Sequence, residues 1–364
     1  MDDIRNWPAT TKDAENLKEI SNHLNGYIHD IRSMRKEKYE INMMILINVT
    51  SKWIKDLDYS CSDMNRLLGI LEDLIMKQRP AILHRACIQG HIEIVRILLN
   101  HGRDANVRAK YLWTPLHQAC KHGHSNIVDL LLSSGANWHL KDKNGRTPLF
   151  VACQYGKNEI VATLLNRQAD VTVKDIKGWT PIHAACMRGS LEVLMALLNA
   201  NRTLITAIDG VRSTPLHTAC RYGHFKIVRA LVDRGADVHA LNENRWTPLH
   251  IACWAGNWKV ASFLIDKGAN IHAQDGHLST PLHAACKNGN SETSINSTLD
   301  TVMYLLNRGA KINNVNFSKL TPLHVACIYG NLEVAMVLID NGADIYSKDK
   351  FGKTPIQQFK PEDI

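Results

Sequence analysis

Apolar residues in the stretch 214–246 fall into two short helical patterns separated by a glycine. The apolar positions are Leu216, Ala219 and Cys220 in the first pattern, then Ile227, Val228, Leu231 and Val232 in the second. Residues three and four positions apart lie on one face of a helix. Thr214 and Pro215 suit a helix start, because threonine caps helices and proline is favoured at the first helical position. Gly223 and Gly235 suit helix ends. The pattern predicts two helices followed by an extended loop with a central turn.

The same pattern recurs at a nearly constant interval along the chain. Eight of the nine cysteines stand at 87, 120, 153, 186, 220, 253, 286 and 327, spaced by 33, 33, 33, 34, 33, 33 and 41 residues. We predict repeats that begin near residues 81, 114, 147, 180, 214, 247, 280 and 321, with a partial repeat at 354. A repeat of this size cannot bury its apolar faces alone, so neighbouring repeats must stack.

Residues 81–364 resemble the ankyrin-repeat family. The resemblance rests on the phrase Thr-Pro-Leu-His-x-Ala, as at Thr214, on the 33-residue period and on the ending Gly-Ala-Asp, as at Gly235. It implies an all-α fold, a solenoid of helix-turn-helix repeats with β-hairpin loops. It also implies that the histidine of the phrase ties helix and loops together. Partners of such repeats usually contact the residue pair after Ala-Cys and the hairpin tips.

Three repeats depart from the common pattern. Phe150 replaces the histidine of the phrase, and Gln168 and Asn201 replace the glycine that ends the second helix. The repeat from Thr280 carries eight extra residues around 291–300, between its two predicted helices. We expect this Ser/Thr-rich insertion to form a flexible loop, with a phosphorylation site as the alternative.

Residues 1–80 lie outside the repeats and show three apolar segments. The first carries Leu17, Ile20, Leu24, Ile28 and Ile31, the second runs from Ile41 to Leu57, and the third includes Leu67, Leu68, Leu71, Leu74 and Ile75. We predict a small helical region that packs on the first repeat as a cap. A separate oligomerisation or signalling module is the alternative.

Histidine and cysteine recur together in the repeats, as in His217, Cys220 and His224, and such groups could bind a metal ion or form a nucleophile with its base. Equivalent residues of stacked repeats lie about 8–10 Å apart, whereas zinc ligands lie about 2.0–2.3 Å from one ion. Cys220 belongs to the apolar face, where a thiol acts as a small hydrophobe. We therefore expect no metal site, no catalytic residue and no cofactor, and we predict that the protein is not an enzyme.

Composition and charge narrow the choice of partner. The chain has 364 residues, of which 45% are hydrophobic and 21% charged, as in soluble proteins. Its start lacks a signal-peptide pattern, and the apolar run 43–47 is too short to cross a bilayer. We expect a cytoplasmic protein, with the nucleus as the alternative, and no membrane insertion. Of the net charge of +8, residues 1–80 contribute −1 and residues 81–364 contribute +9, which favours acidic partners.

A set of basic and aromatic residues forms the candidate binding surface. Among the sixteen residues that follow Ala-Cys in the eight repeats, none is acidic, four are Lys or Arg and four are aromatic. Arginine and aromatic residues are enriched in interface hot spots. The expected partner-binding residues are Lys121, Tyr155, Arg188, Arg221, Tyr222, Trp254, Lys287 and Tyr329, with Tyr111 and Trp113 from a hairpin tip.

These residues predict a scaffold or adaptor that holds an acidic segment of another protein on its concave face, with no small-molecule substrate. Two alternatives keep the same fold. The repeats could be the targeting arm of an effector whose activity lies in residues 1–80 or in another part of a longer protein. Alternatively, the basic face could bind nucleic acid, with an affinity that falls steeply as the salt concentration rises.

Overall fold

The structure is a computed structural model that describes residues 81–287 and 295–359. The predicted helical region 1–80 and residues 288–294 lie outside the described residues. The α-helices of the described residues are α1 (Ala81–Gln89), α2 (Ile92–Asn100), α3 (Pro115–His122), α4 (Ser125–Ser133), α5 (Pro148–Gln154), α6 (Asn158–Asn166), α7 (Pro181–Arg188), α8 (Leu191–Ala200), α9 (Pro215–Tyr222), α10 (Phe225–Asp233), α11 (Pro248–Trp254), α12 (Trp258–Asp266), α13 (Pro281–Cys286), α14 (Ile295–Asn307), α15 (Pro322–Ile328) and α16 (Leu332–Asp340). Each of the eight full repeats contributes one odd-numbered first helix and one even-numbered second helix, and the described part of the partial repeat at 354 contains a 3₁₀ helix, Ile356–Gln358.

The chain divides into two compact units, Met1–Asn137 and Trp138–Ile364. In the described part of the first compact unit, α1 packs on α3 and α2 on α4. In the second, the first helices α5 to α15 form one layer and the second helices α6 to α16 form another, each helix contacting its counterpart in the next repeat. The predicted apolar positions of 214–246 lie between these layers, and all except Val232 are fully buried. The predicted all-α solenoid is confirmed.

Helix boundaries follow from the repeated phrase. At α9, the Thr214 hydroxyl accepts the backbone amide of His217 (3.5 Å), and the Thr214 amide donates to His217 Nδ1 (3.2 Å). This reciprocal cap satisfies two amides that the first helical turn leaves without intrahelical partners. Gly223 ends the helix in the left-handed region, with φ of 69°. Gln168, which replaces a glycine after a second helix, adopts the same left-handed conformation (φ 59°).

Tight turns connect successive repeats. In the turn that begins at Asp142, its backbone amide donates to the carbonyl of Arg146 (2.9 Å). The Oδ1 atom of Asp142 also accepts the amides of Asn144 and Arg146 (2.8 and 2.9 Å). The predicted β-hairpin loops are thus hairpin turns, and the described residues contain no strand. Asn201 is extended (φ −152°), and the repeat from Thr180, which is one residue longer than the 33-residue repeats, continues there into a 3₁₀ helix, Arg202–Thr206.

The insertion after α13 differs from the prediction. Residues 295–300 form the first turns of α14, which has 13 residues where α10 has 9. Thr298 and Thr301 are buried, and the Ser297 hydroxyl donates to the carbonyl of Gly256 in the preceding repeat. The flexible loop is therefore wrong for this half of the insertion, because its hydroxyl groups pack inward from a helix. Among the described residues, no helix has the length and apolarity needed to cross a membrane.

Candidate partner-binding surface

In six repeats, the histidine of the repeated phrase bonds to the hairpin that follows. Nδ1 of His217 accepts the Thr214 amide, so the ring proton is on Nε2, which donates to the carbonyl of Trp246 in the following hairpin (2.9 Å). The equivalent links run from His84 to Trp113, His183 to Ser213, His250 to Ser279, His283 to Leu320 and His324 to Lys353. In each of these histidines, Nε2 bonds to a backbone carbonyl of the following hairpin, and these bonds hold neighbouring repeats together.

Burial favours the neutral forms of His217, His283 and Cys220. It lowers the pKa of His217 below its usual value and that of His283 to about 4. It also raises the pKa of the Cys220 thiol well above its usual value. All eight cysteines of the described residues are buried thiols. Within the same residues, no group of three or more His, Cys, Asp or Glu gathers in a way that could hold a metal ion.

His224 has a structural role that sequence reasoning did not find. Its Nε2 donates to the carbonyl of Met187, near the end of the preceding first helix (2.9 Å). At the equivalent position of the next repeat, the Asn257 side chain donates to the Cys220 carbonyl (2.8 Å). Both bonds satisfy helix-terminal carbonyls that have no intrahelical partner. The sequence does contain a signal for this role. In several repeats, the residue after the helix-ending glycine has an imidazole or amide side chain, as at His124, His224, Asn257 and Asn331.

Arg221 and Trp254 form a stacked pair across two repeats. The guanidinium carbon of Arg221 lies 5.5 Å from the centre of the Trp254 ring. Trp254 in turn meets Trp246 edge to face, with ring centres 6.3 Å apart. The indole N–H of Trp246 donates to Asp275 Oδ2 (2.9 Å). These contacts restrain the side chains of Arg221, Trp254 and Trp246.

A second stacked pair lies further along the array. Nζ of Lys287 lies 5.4 Å from the centre of the Tyr329 ring, and 40% of the surface of Tyr329 is exposed. The two pairs repeat one arrangement, in which a basic residue at the end of one first helix covers an aromatic residue at the end of the next. The cation–π contact restricts the cation and leaves its outer N–H groups accessible.

A groove of about 1160 Å³ runs between the hairpins and the first helices of the second compact unit. Its walls include Trp179 and Trp246 from the hairpins, and Met187, Arg221, Tyr222 and Trp254 from the first helices. Lys287 lies at one end. Of the predicted site residues, the structure therefore brings Arg221, Tyr222, Trp254 and Lys287 together in one groove. Trp179 and Trp246 belong to the hairpin-tip positions and Met187 to the pair after Ala-Cys, where the resemblance predicts partner contacts, although none of the three was among the expected partner-binding residues.

The charged groups that line the groove are mostly basic. Lys177, Arg221 and Lys287 line the groove, as do the acidic residues Asp175 and Asp209. Oδ1 of each aspartate accepts two backbone amides of its own hairpin, which fixes the turn and partly neutralises the carboxylate field. A fourth basic residue, Arg146, is paired with Asp142 at 2.7 Å.

The other predicted residues lie outside this groove lining. Arg188 is exposed and Tyr155 is half-buried, both at the ends of first helices. In the first compact unit, Nζ of Lys121 lies 5.7 Å from the ring centre of Trp113. Tyr111, on the hairpin tip of that unit, has a left-handed backbone (φ 63°) and is 55% exposed.

The stacked helix pairs, their histidine links and the groove define a repeat scaffold. The family model of ankyrin repeats in three copies matches residues 58–142, 132–209, 201–275 and 276–349. The chain belongs to the ankyrin-repeat family, whose repeats are generally protein–protein interaction modules.

A solved structure with the same fold is the crystal structure of the human ASB11 ankyrin repeat domain. The two chains share 30% sequence identity with a TM-score of 0.55, and the match covers 63% of this chain and 98% of that chain. No curated protein matches the chain.

Proposed function

We propose that the protein is a non-enzymatic scaffold or adaptor that binds an acidic segment of another protein in the groove of its second compact unit. The contact between Arg221 and Trp254 carries this proposal. A guanidinium that stacks on an indole ring keeps its in-plane N–H groups available for a carboxylate, and the fork can bind both carboxylate oxygens. Because the stack already holds the side chain, less conformational entropy is lost on binding.

The rest of the groove supplies apolar contact area beside the charge. Tyr222 is 44% exposed, and the edge-to-face pair of Trp246 and Trp254 forms an aromatic wall. Aromatic side chains provide large contact areas at low entropic cost. An acidic segment that also carries apolar side chains therefore fits the groove better than a purely acidic one.

Selection from a displayed library of random peptides on the immobilised full-length chain tests the proposal. We expect the selected peptides to be enriched in Asp and Glu together with apolar residues. The triple variant R188A/R221A/W254A should bind them at least about 30-fold more weakly, because removal of one hot-spot residue alone weakens binding by that factor. Circular dichroism spectra of the variant at the assay temperature should match those of the wild-type chain, whereas its melting temperature should fall modestly, because the variant loses the contacts of Trp254 with Arg221 and Trp246.

A matched control removes two basic residues and one tryptophan from the second helices. The variant K226A/R229A/W258A should bind the selected peptides as the wild type does, because these residues lie on α10 and α12, away from the groove. Peptides without acidic enrichment, or equal losses in both triple variants, would contradict the proposal. Binding of random single-stranded DNA with a steep salt dependence would favour the nucleic-acid alternative instead.

Two further expectations remain part of the proposal. The cytoplasm, or the nucleus, is the proposed compartment. The effector alternative predicts that deletion of residues 1–80 removes an activity while the groove still binds its peptides. Our proposal predicts that the deletion changes stability alone.

A further inference from the structure

The tips of seven hairpins in the second compact unit form one continuous edge. We define this hairpin-tip edge by residues 143–145, 176–178, 210–212, 243–245, 276–278, 317–319 and 350–352. Each tip after the first donates one backbone amide to the preceding tip. The six bonds run from Ile176 to Asn144, Gly210 to Lys177, Glu243 to Val211, Gly276 to Asn244, Phe317 to His277 and Lys350 to Ser318, at 2.8–3.1 Å. Side chains on successive tips are therefore held in register along one side of the molecule.

The hairpin-tip edge combines positive charge with exposed apolar side chains. Its basic residues are Lys143, Lys177, Arg212, Arg245, Lys319 and Lys350, and its one acidic residue is Glu243. Its large exposed apolar residues are Ile176 (70%), Val211 (50%), Leu278 (44%), Phe317 (75%) and Phe351 (75%). The buried carboxylates at the hairpin bases, such as Asp209 and Asp349, are turned toward tip amides. The outer surface of the edge is therefore basic and apolar.

Two phenylalanines on adjacent tips are the most exposed apolar residues of the edge. Phe317 and Phe351 belong to hairpins that are joined by the bond from Lys350 N to Ser318 O (3.1 Å). Nζ of Lys350 lies 4.9 Å from the centre of the Phe351 ring, so its chain runs alongside the phenyl group. Neither phenylalanine lines the groove. They project from the protein with lysines beside them.

We propose that the hairpin-tip edge docks on an anionic lipid surface, with Phe317 and Phe351 entering the headgroup level. Exposed side chains spread over several separate tips fit a deformable partner, whereas a protein partner would have to offer a separate pocket for each tip. Interfacial binding combines buried apolar area with attraction of Lys and Arg to anionic headgroups. Lysines can bury their apolar chains while the ammonium groups remain in the polar layer. This contact is peripheral, and it includes Ile176, Lys177 and Val211, which also line the groove.

Vesicle co-sedimentation with the full-length chain tests this proposal at physiological ionic strength. The probes are phosphatidylcholine vesicles with roughly one third phosphatidylserine, and vesicles of phosphatidylcholine alone. We expect binding to the anionic vesicles and at least tenfold weaker binding to the neutral ones. The variant K319Q/K350Q should bind anionic vesicles about 30-fold more weakly, from the loss of two lysines near the surface. F317S/F351S should weaken binding at least about tenfold.

The matched control is L332S/M336S, which removes two apolar residues from the exposed face of α16. Leu332 and Met336 are 44% and 63% exposed and lie outside the hairpin-tip edge. This variant should bind vesicles as the wild type does, and all variants should show unchanged circular dichroism melts. The proposal is overturned if anionic vesicles do not sediment the chain, or if both Phe and control variants lose binding equally. It is also overturned if vesicles fail to bind while the edge variants lose binding to the acidic peptides selected on the groove.

Discussion

The guanidinium of Arg221 lies over the indole ring of Trp254, the residue one full repeat further along the chain, at 5.5 Å from the ring centre. The register of the stack therefore creates the contact, since neither residue is near the other in sequence. It also explains how an exposed arginine keeps a defined orientation. The contact connects the repeat architecture to the proposed recognition of carboxylates.

A double-mutant cycle on R221A and W254A measures this contact directly. We expect a coupling free energy of about 0.5–1 kcal/mol in urea unfolding, the value of an exposed cation–π pair. A second cycle on R221A and W258A is the control, because Arg221 stacks on Trp254 and Trp258 belongs to a second helix. If the coupling free energy is as large in the control cycle as in the first, it does not come from the contact between Arg221 and Trp254.

The buried histidines predict that stability falls in mild acid. The pKa values of His183, His217, His250 and His283 are lowered in the folded protein, chiefly by burial. The unfolded chain therefore binds protons below about pH 6.5 that the folded chain does not. Above that pH, the neutral histidines make their whole contribution to the free energy of unfolding. This contribution should decrease as the pH falls toward about 4, the pKa of His283 in the folded protein. His283 alone accounts for about 3 kcal/mol of this loss.

Urea unfolding between pH 7 and pH 4.5 checks this dependence. The slope of the free energy against pH counts the protons taken up on unfolding. The variant H283F, which copies the natural Phe150, should show a shallower slope, whereas H272Q at an exposed position should leave the slope unchanged. A slope that is the same in H283F and the wild type would contradict the assigned role of His283.

Two separate constraints require glycine at position 189, and a second glycine that has only one of them allows their effects to be distinguished. Its φ of 79° lies in the left-handed region, and an added Cβ would lie 2.6 Å from Nδ1 of His224. Gly235 has φ of 92° with no atom within 4 Å of an added Cβ. We expect G235A to lose about 1 kcal/mol, the cost of a left-handed alanine. G189A should lose roughly 3 kcal/mol or more, since the ring must also move.

Thermal and urea unfolding of G189A and G235A measure how much each substitution lowers the free energy of unfolding. The second-site change H224A in the G189A background should recover part of the loss, because it removes the ring that the new methyl group meets. Equal losses in G189A and G235A would show that backbone conformation alone decides both positions.

The repeat framework could be predicted because each of its determinants is local. Thr214, Pro215 and Gly223 set the ends of a helix within a few residues, and the spacing of apolar positions sets its buried face. The positions of Arg221 and Tyr222 in the groove could be anticipated from the family resemblance, because both directly follow Ala-Cys. Contacts between repeats could not, since the bond from His224 to Met187 joins residues 37 positions apart. The helical half of the insertion was missed because polar residues such as Thr298 pack inward there.

Cysteine reactivity supplies a test of the core that does not require unfolding data. Burial raises the pKa of Cys220 and of its counterparts such as Cys186 and Cys253, so these thiols are neutral and shielded near pH 8. In a C61S variant, which leaves only the eight cysteines of the repeats, we expect a thiol reagent to modify the native chain slowly. Rapid modification of all eight should require urea. Fast modification of several thiols in the folded C61S chain would contradict the burial of these eight cysteines. The structure joins none of the eight in a disulfide, so a reductant should leave the melting temperature of this variant unchanged.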